Sequence, residues 1–265
     1  MEDSEKQVLI NTINSSGAIL EEQVFSVLSR SRFGNEIEKG KAFTFEEERI
    51  EIDCLLSSFR LRFLFECKRS FYSFFFLRST EYRNEGYLIQ QNTGLRTIQI
   101  NSQSMLKPQL KTFPHCIEIL ENQGIFQRAK KGKVAFTPEL AERAGREEIL
   151  HGFTLQTLKN LEAYIWKLHQ KKEFLSEFVT FIPVIVTNAK LYSMEFRPEQ
   201  IDVDGNLKDF CNYQQENYVG FNFSDSVKWD AGKQEIITES GSFEKTVFVV
   251  NVNHLVEFIE GIKKL

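Results

Sequence analysis

Asp53, Glu66 and Lys68 stand within residues 49–70, RIEIDCLLSSFRLRFLFECKRS, where two apolar runs would otherwise build a core. Carboxylates are seldom buried unless they are paired or hold a cation. Two of them on neighbouring strands form a hard oxygen site suited to Mg2+ or Mn2+, and a lysine two residues from one of them can orient water or stabilise charge growing on a phosphate. The chemistry these residue types support is hydrolysis of a phosphodiester bond. Glu66 to Lys68 is the only acidic-x-lysine triplet in the chain. By itself that spacing is a weak signal, because both residue types are common. Its weight comes from its place at the end of an apolar strand, thirteen residues after the Ile-Asp of the strand before. The plain alternative is a cross-strand ion pair between Asp53 and Lys68, with Glu66 in solvent.

Strands must position these residues. AFTFEEE, RIEIDCLLSS and FRLRFLFECKRS alternate or run apolar over short lengths and predict three consecutive strands, a meander, with LSSFR at the turn between the second and third. The preceding FGNEIEKGK reads as a charged, glycine-bearing turn. Successive strand residues point to opposite faces, so Glu66 and Lys68 share one face and Cys67 looks to the other. Ahead of the strands, Ile10, Ile13, Leu20, Val24, Val27 and Leu28 recur at the spacing of an amphipathic helix, divided at Gly17.

This arrangement resembles the PD-(D/E)XK nuclease superfamily and, within it, the Mrr-like restriction endonucleases, whose core runs from a helix bearing a glutamate to a strand bearing Ile-Asp and a strand bearing (D/E)xK. The matching residues are Asp53 in EIDCLL, Glu66 and Lys68 in FECK, and an acid of LEEQV on the helix. Glu21 fits best by its spacing to Val24, Val27 and Leu28, with Glu22 next door as the alternative. The family's proline before the aspartate is missing, and Ile52 stands there. The resemblance implies that Asp53 and Glu66 bind Mg2+ (or Mn2+), that the backbone carbonyl of Cys67 adds a ligand, that Lys68 is catalytic and that Glu21 supports the site. It also implies an α/β fold with a restriction endonuclease-like mixed central sheet flanked by helices. DNA as substrate, in a bacterial restriction or antiviral defence setting, comes with it.

The resemblance resumes downstream. Phe153 to Lys172 carries Leu155, Leu158, Leu161, Ile165 and Leu168 at helical spacing, and EFVTFIPVIVTNAKLYSMEF predicts a strand, a short turn and a strand. VFVVNVNHLVEFIEGIKKL reads as a strand and a closing helix. Family members carry a glutamine on the first of these helices, which makes Gln156 an accessory candidate beside the equal alternative of a solvated helix residue. Residues 1–70 and 151–265 are therefore the expected nuclease-like core, and 71–150 an inserted subdomain after the third strand. Its FYSFFFLRSTEYRNEGY, with Arg69 just ahead and Arg78 and Arg83 within, could stack on bases while pairing phosphates, although packing is the stronger reading of so many aromatics. CIEILENQGIFQRAKKGKVAFTPELAERAG predicts a helix, two short strands around KKGK and a second helix. Arg128, Lys130, Lys131 and Lys133 there are the densest basic cluster of the chain.

A net charge of −4 and a pI near 5.8 argue against gripping nucleic acid through a wide basic face alone. A divalent cation held by carboxylates would supply the missing positive charge locally. The 265 residues, 42% apolar and 26% charged, fit one large domain or two small ones. Cys54, Cys67, Cys116 and Cys211 form no CxxC, and the polar N-terminus and lack of a membrane-length apolar run complete the expectation of a cytoplasmic protein without membrane contact. The histidines show no HExxH, and GxSxG, GxGxxG and GxxxxGK[ST] are all absent, which disfavours zinc and serine hydrolases, dinucleotide enzymes and NTPases. The expectation is a Mg2+-dependent endonuclease. Its rivals are a binding module on a nuclease-like core and a nuclease silent until an activating partner, such as a defence-system component, arrives. Double-strand cutting would favour a homodimer, although no coiled-coil heptads supply one.

Overall fold

The computed structural model describes residues 3–15, 17–31, 36–70, 72–79, 82–83, 85–91, 95–101, 109–110, 115–122, 125–128, 149–170, 179–204, 206–208, 213–224 and 244–263. Two helices, α1 (Asp3–Ser15) and α2 (Ala18–Arg30), lead into β1 (Glu36–Phe45), β2 (Glu48–Ser58) and β3 (Leu61–Cys67). Next come β4 (Ser73–Ser79), β5 (Tyr82–Arg83), β6 (Glu85–Gln91), β7 (Leu95–Asn101), β8 (Gln109–Leu110), β9 (His115–Asn122) and β10 (Ile125–Arg128). The long helix α3 (Ile149–Gln170) precedes β11 (Val179–Thr187), β12 (Leu191–Phe196), β13 (Tyr213–Glu216), β14 (Tyr218–Ser224), β15 (Glu244–Asn251) and α4 (Leu255–Lys263). The fold is mixed α/β.

The expected meander forms: β1, β2 and β3 pair antiparallel in sequence order. β3 and β11 run parallel, as do β11 and β15, and α3 lies in the long connection that parallel pairing demands. These strands belong to a ten-stranded mixed sheet in the order β1-β2-β3-β11-β15-β14-β8-β5, with β6 also on β11 and β7 on β6. One face is closed by Leu20, Val24 and Leu28 of α2 together with α4, against Cys54, Phe65 and Cys67. Each of the three α2 side chains is essentially excluded from water, a burial contributing roughly 1.5–3 kcal/mol apiece. Leu158, Leu161 and Ile165 of α3 close the other face over Ile52, Leu55 and Leu64.

A second, five-stranded sheet, β10-β9-β4-β12-β13, packs into the core on the α3 side through Phe74, Phe76 and Leu191. The centre of the aromatic run after residue 70 is thus packing: Phe74 and Phe76 are completely buried and offer no platform for bases. The segment expected as an insertion is stitched into both sheets, β4 pairing with β12 and β6 with β11. The helix expected from Cys116 is instead the strand β9, which is held between β4 and β10; pairing with neighbours overrides a local pattern that suits either element.

Three smaller expectations also change. The presumed turn FGNEIEKGK already contains the first half of β1, because Gly40 takes a φ of 60° within the strand and lets the pairing continue past it. The turn joining β1 to β2 is a two-residue hairpin with Glu46 and Glu47 both at positive φ. Ile10 and Ile13 on α1 and Leu155 on α3 are exposed, so the apolar stripes of those helices are narrower than their spacing suggests.

Candidate active site

The site grows from a defect in the sheet. Ile52 packs under α3 while Cys54 packs under α2, although two residues apart in a regular strand they would share a face. The alternation therefore breaks at Asp53. On the neighbouring strand Lys39 pairs with Cys54 and Lys41 with Ile52, so Gly40, in its left-handed conformation, lies across from Asp53. On the other side, the ladder between β2 and β3 stops at Cys54 and Phe65. The next free backbone donor on β3, the N–H of Cys67, is taken by the Asp53 carboxylate: it donates to Oδ2 at 2.6 Å. An acid thus fills the place of a strand at the point where the two strands part.

Glu66 and Lys68 arrive on the α3 face, as their parity predicts. Lys68 Nζ is 2.6 Å from Glu66 Oε1, with the glutamate side chain 8% exposed and the lysine 28% exposed. The lysine ammonium also sits 5.6 Å from the centre of the Phe153 ring on α3. The plain alternative of Glu66 in solvent is therefore not what forms. Asn160 of α3, itself buried, donates to Glu66 Oε2 at 2.8 Å and to the carbonyl of Glu51 at 3.2 Å. Gln156, one turn earlier and exposed, donates to Asn160 Oδ1 at 2.8 Å.

Negative charge is concentrated here. The Asp53 carboxyl is pushed up to about 7, first by burial and then by the Glu66 charge and, more weakly, by Glu21; the Cys67 N–H and Lys68 oppose the shift without cancelling it. Glu21 on α2 is thus near enough for its charge to be felt weakly at Asp53. Its neighbour Glu22 points elsewhere and forms an ion pair with Lys39. The Cys67 thiol, pushed up by its hydrogen bond with Cys54 and by burial, belongs to the opposite face, so only the backbone of Cys67 is available to the site. Among the described residues no group of three or more His, Cys, Asp and Glu side chains is drawn together for a metal. The oxygen set that remains, Asp53, Glu66 and the Cys67 carbonyl, has the hardness Mg2+ or Mn2+ prefers. Among the described residues each Glu66 oxygen meets one donor and so keeps lone-pair capacity for a cation.

Arg69 is half-buried just beyond Lys68. Arg78 falls on β4 and Arg128 ends β10, each on a strand of the second sheet. Lys130, Lys131 and Lys133 lie outside the described residues. Asn160 is the residue the sequence reading missed. Its signal was a polar side chain within the apolar stripe between Leu158 and Leu161, four residues after Gln156 and so on the same side of the helix. No helix among the described residues is long and apolar enough to cross a membrane. Compared with models of known families, with curated proteins and with solved structures, the chain matches none.

Proposed function

We propose that the chain is a metal-dependent nuclease, an endodeoxyribonuclease of the bacterial restriction or defence type, built on a restriction endonuclease-like core. The observation that carries this reading is Asp53 held on the N–H of Cys67, the residue between Glu66 and Lys68 in the chain, where β2 and β3 part, with the aspartate half-buried and the Lys68 side chain, ion-paired to Glu66, 28% exposed. A carboxyl pushed up to about 7, first by burial and then by the Glu66 charge, is one whose ionised form a bound cation would stabilise. Asp53, Glu66 and the Cys67 carbonyl would hold Mg2+ or Mn2+. When bound, the cation would polarise a phosphate oxygen and lower the cost of developing negative charge. Lys68, already beside Glu66, would offer its ammonium as a donor to an attacking water or a phosphate oxygen. Glu21 adds a second layer of negative charge that favours the cation. Because burial and the Glu66 charge raise its proton affinity, Asp53 would release its proton on taking up the cation near neutral pH.

The test is direct. Supercoiled plasmid, linear duplex, single strand and RNA are incubated with the full chain in Mg2+, Mn2+ or EDTA, beside Asp53→Ala and Lys68→Ala. Cutting of closed circular DNA that needs the cation and disappears in both variants is the expected result. Binding without cutting, indifferent to both substitutions, would leave a binding module on a nuclease-like core.

A further inference from the structure

Among the described residues, Asn160 is the one polar side chain that reaches Glu66 from α3, and it is 3% exposed. Its orientation is fixed by chemistry as well as by distance. The Glu66 carboxylate and the Glu51 carbonyl only accept hydrogen bonds, so Asn160 must turn its NH2 to both of them. Its oxygen is then left facing outwards, where the Gln156 amide donates to it. Every hydrogen-bonding group of the Asn160 side chain is thereby used, along a chain of contacts that runs from the exposed surface of α3 to Glu66. Holding the helix to the strand would need none of this selectivity, since Leu158 and Leu161 on either side of Asn160 already pack α3 onto the sheet.

We propose that Asn160 is a positioning residue for divalent-cation binding: it holds Glu66 by Oε2 and so fixes Oε1 beside Lys68, with Gln156 locking the amide. This rests on the nuclease reading above and adds a part to it. An acid at position 160 inverts the pattern, setting an acceptor against two acceptors, whereas alanine merely leaves Glu66 free to turn. Gln156 stands one bond further from the carboxylate and acts only through Asn160. The order of effect on the cation is therefore Asn160→Asp, then Asn160→Ala, then Gln156→Ala. Removing the outer partner of a metal ligand typically weakens metal binding by about tenfold to a hundredfold.

The experiment measures Mn2+ binding to the full chain by electron paramagnetic resonance and by calorimetry, with thermal unfolding in EDTA as the control for folding. The expected result is an Mn2+ Kd raised about tenfold or more in Asn160→Ala and further in Asn160→Asp. A smaller rise is expected in Gln156→Ala, whose exposed position leaves folding intact. Plasmid cutting by Asn160→Ala should recover in part at high Mn2+. Wild-type Mn2+ affinity in both alanine variants, whatever their melting temperatures, overturns the inference and leaves Asn160 a structural strut. A wild-type chain that binds no Mn2+ removes the nuclease reading itself, and this inference falls with it.

Discussion

Glu66 on β3 and Glu216 on β13 are withdrawn from water to the same degree, each 6% exposed, yet their surroundings differ. Glu216 Oε1 receives the Ser193 hydroxyl and the Gln214 amide, both at 2.6 Å, within the second sheet. Glu66 receives an amide on one oxygen and an ammonium on the other, and it raises the proton affinity of a neighbouring acid. Burial of a carboxylate therefore does not by itself mark a site, since donors such as Ser193 and Gln214 help to accommodate one. What separates the two regions is like charge gathered at a break in the sheet, an arrangement that costs stability unless a cation joins it.

The largest expected effect tests that contrast. Asp53→Ala and Lys68→Ala should each lower Mg2+-dependent cutting by about a thousandfold or more, because each removes a group at the reacting phosphate. Glu216→Gln should leave cutting within about twofold of wild type and cost on the order of 1–2 kcal/mol of stability, as one buried acceptor set is disturbed. Parallel plasmid assays and denaturant melts check both. Equal loss of cutting in all three variants would dissolve the distinction between the two glutamates.

How far this contrast was legible in the sequence follows from what each feature depends on. Glu66, Lys68 and Asp53 were readable because strand parity and a fixed triplet spacing are local properties, and the meander placed β2 beside β3. The α3 crossover to β11 was readable from helical spacing followed by an apolar run. The break at Asp53 was not, since it depends on Gly40 adopting positive φ inside what reads as a charged turn. Asn160 was hidden for a related reason: the role of a helix residue depends on which strand lies beneath it. The second sheet was the least legible, because β4 pairs with β12, whose first residue is 118 positions after its own, and β9 shows a strand's identity only once it is paired.

The contrast sharpens with pH. The Asp53 carboxyl binds its proton more tightly in the folded chain, at about 7, than at its ordinary 3.8. The folded state therefore holds more proton than the unfolded state between about pH 4 and 7. Stability contributed by the protonated form is complete below pH 4 and is lost as the pH rises through 7. Asp53→Asn keeps an acceptor for the Cys67 N–H and removes the charge. It should be more stable than wild type by on the order of 1–3 kcal/mol at pH 8 without metal, and it should flatten the slope of melting temperature between pH 4 and 7. Mn2+ should raise the wild-type melting temperature at pH 8 and leave that of the variant unchanged. Identical slopes for the two proteins would refute the charge-accumulation account.

A backbone substitution probes the break itself. Gly40→Ala forces a Cβ into a left-handed conformation across from Asp53 and should cost about 1–2 kcal/mol. No side chain of the site is altered, and the added Cβ would lie 3.4 Å from Glu51 Oε1, close to ordinary contact. If the break is needed to aim Asp53 at the Cys67 N–H, Mn2+ affinity falls together with stability. If stability alone falls, Asp53 is aimed by its hydrogen bond and the strand merely follows.

The finest distinction lies between two adjacent acids. Glu21 and Glu22 follow one another on α2, but the first contributes to the field at Asp53 while the second is ion-paired with Lys39. Glu21→Gln removes one charge at a distance from the cation, so the expected loss of cutting at subsaturating Mg2+ is about threefold to tenfold, shrinking as Mg2+ approaches saturation. Glu22→Gln should change neither cutting nor its Mg2+ dependence, because an exposed ion pair exerts little force on a site it does not face. Cutting rates measured across a Mg2+ titration at two ionic strengths separate the cases. A charge acting through space loses influence as salt rises, whereas a direct ligand does not. A Glu21 effect that ignores salt would therefore move Glu21 from the surroundings of the cation into its coordination.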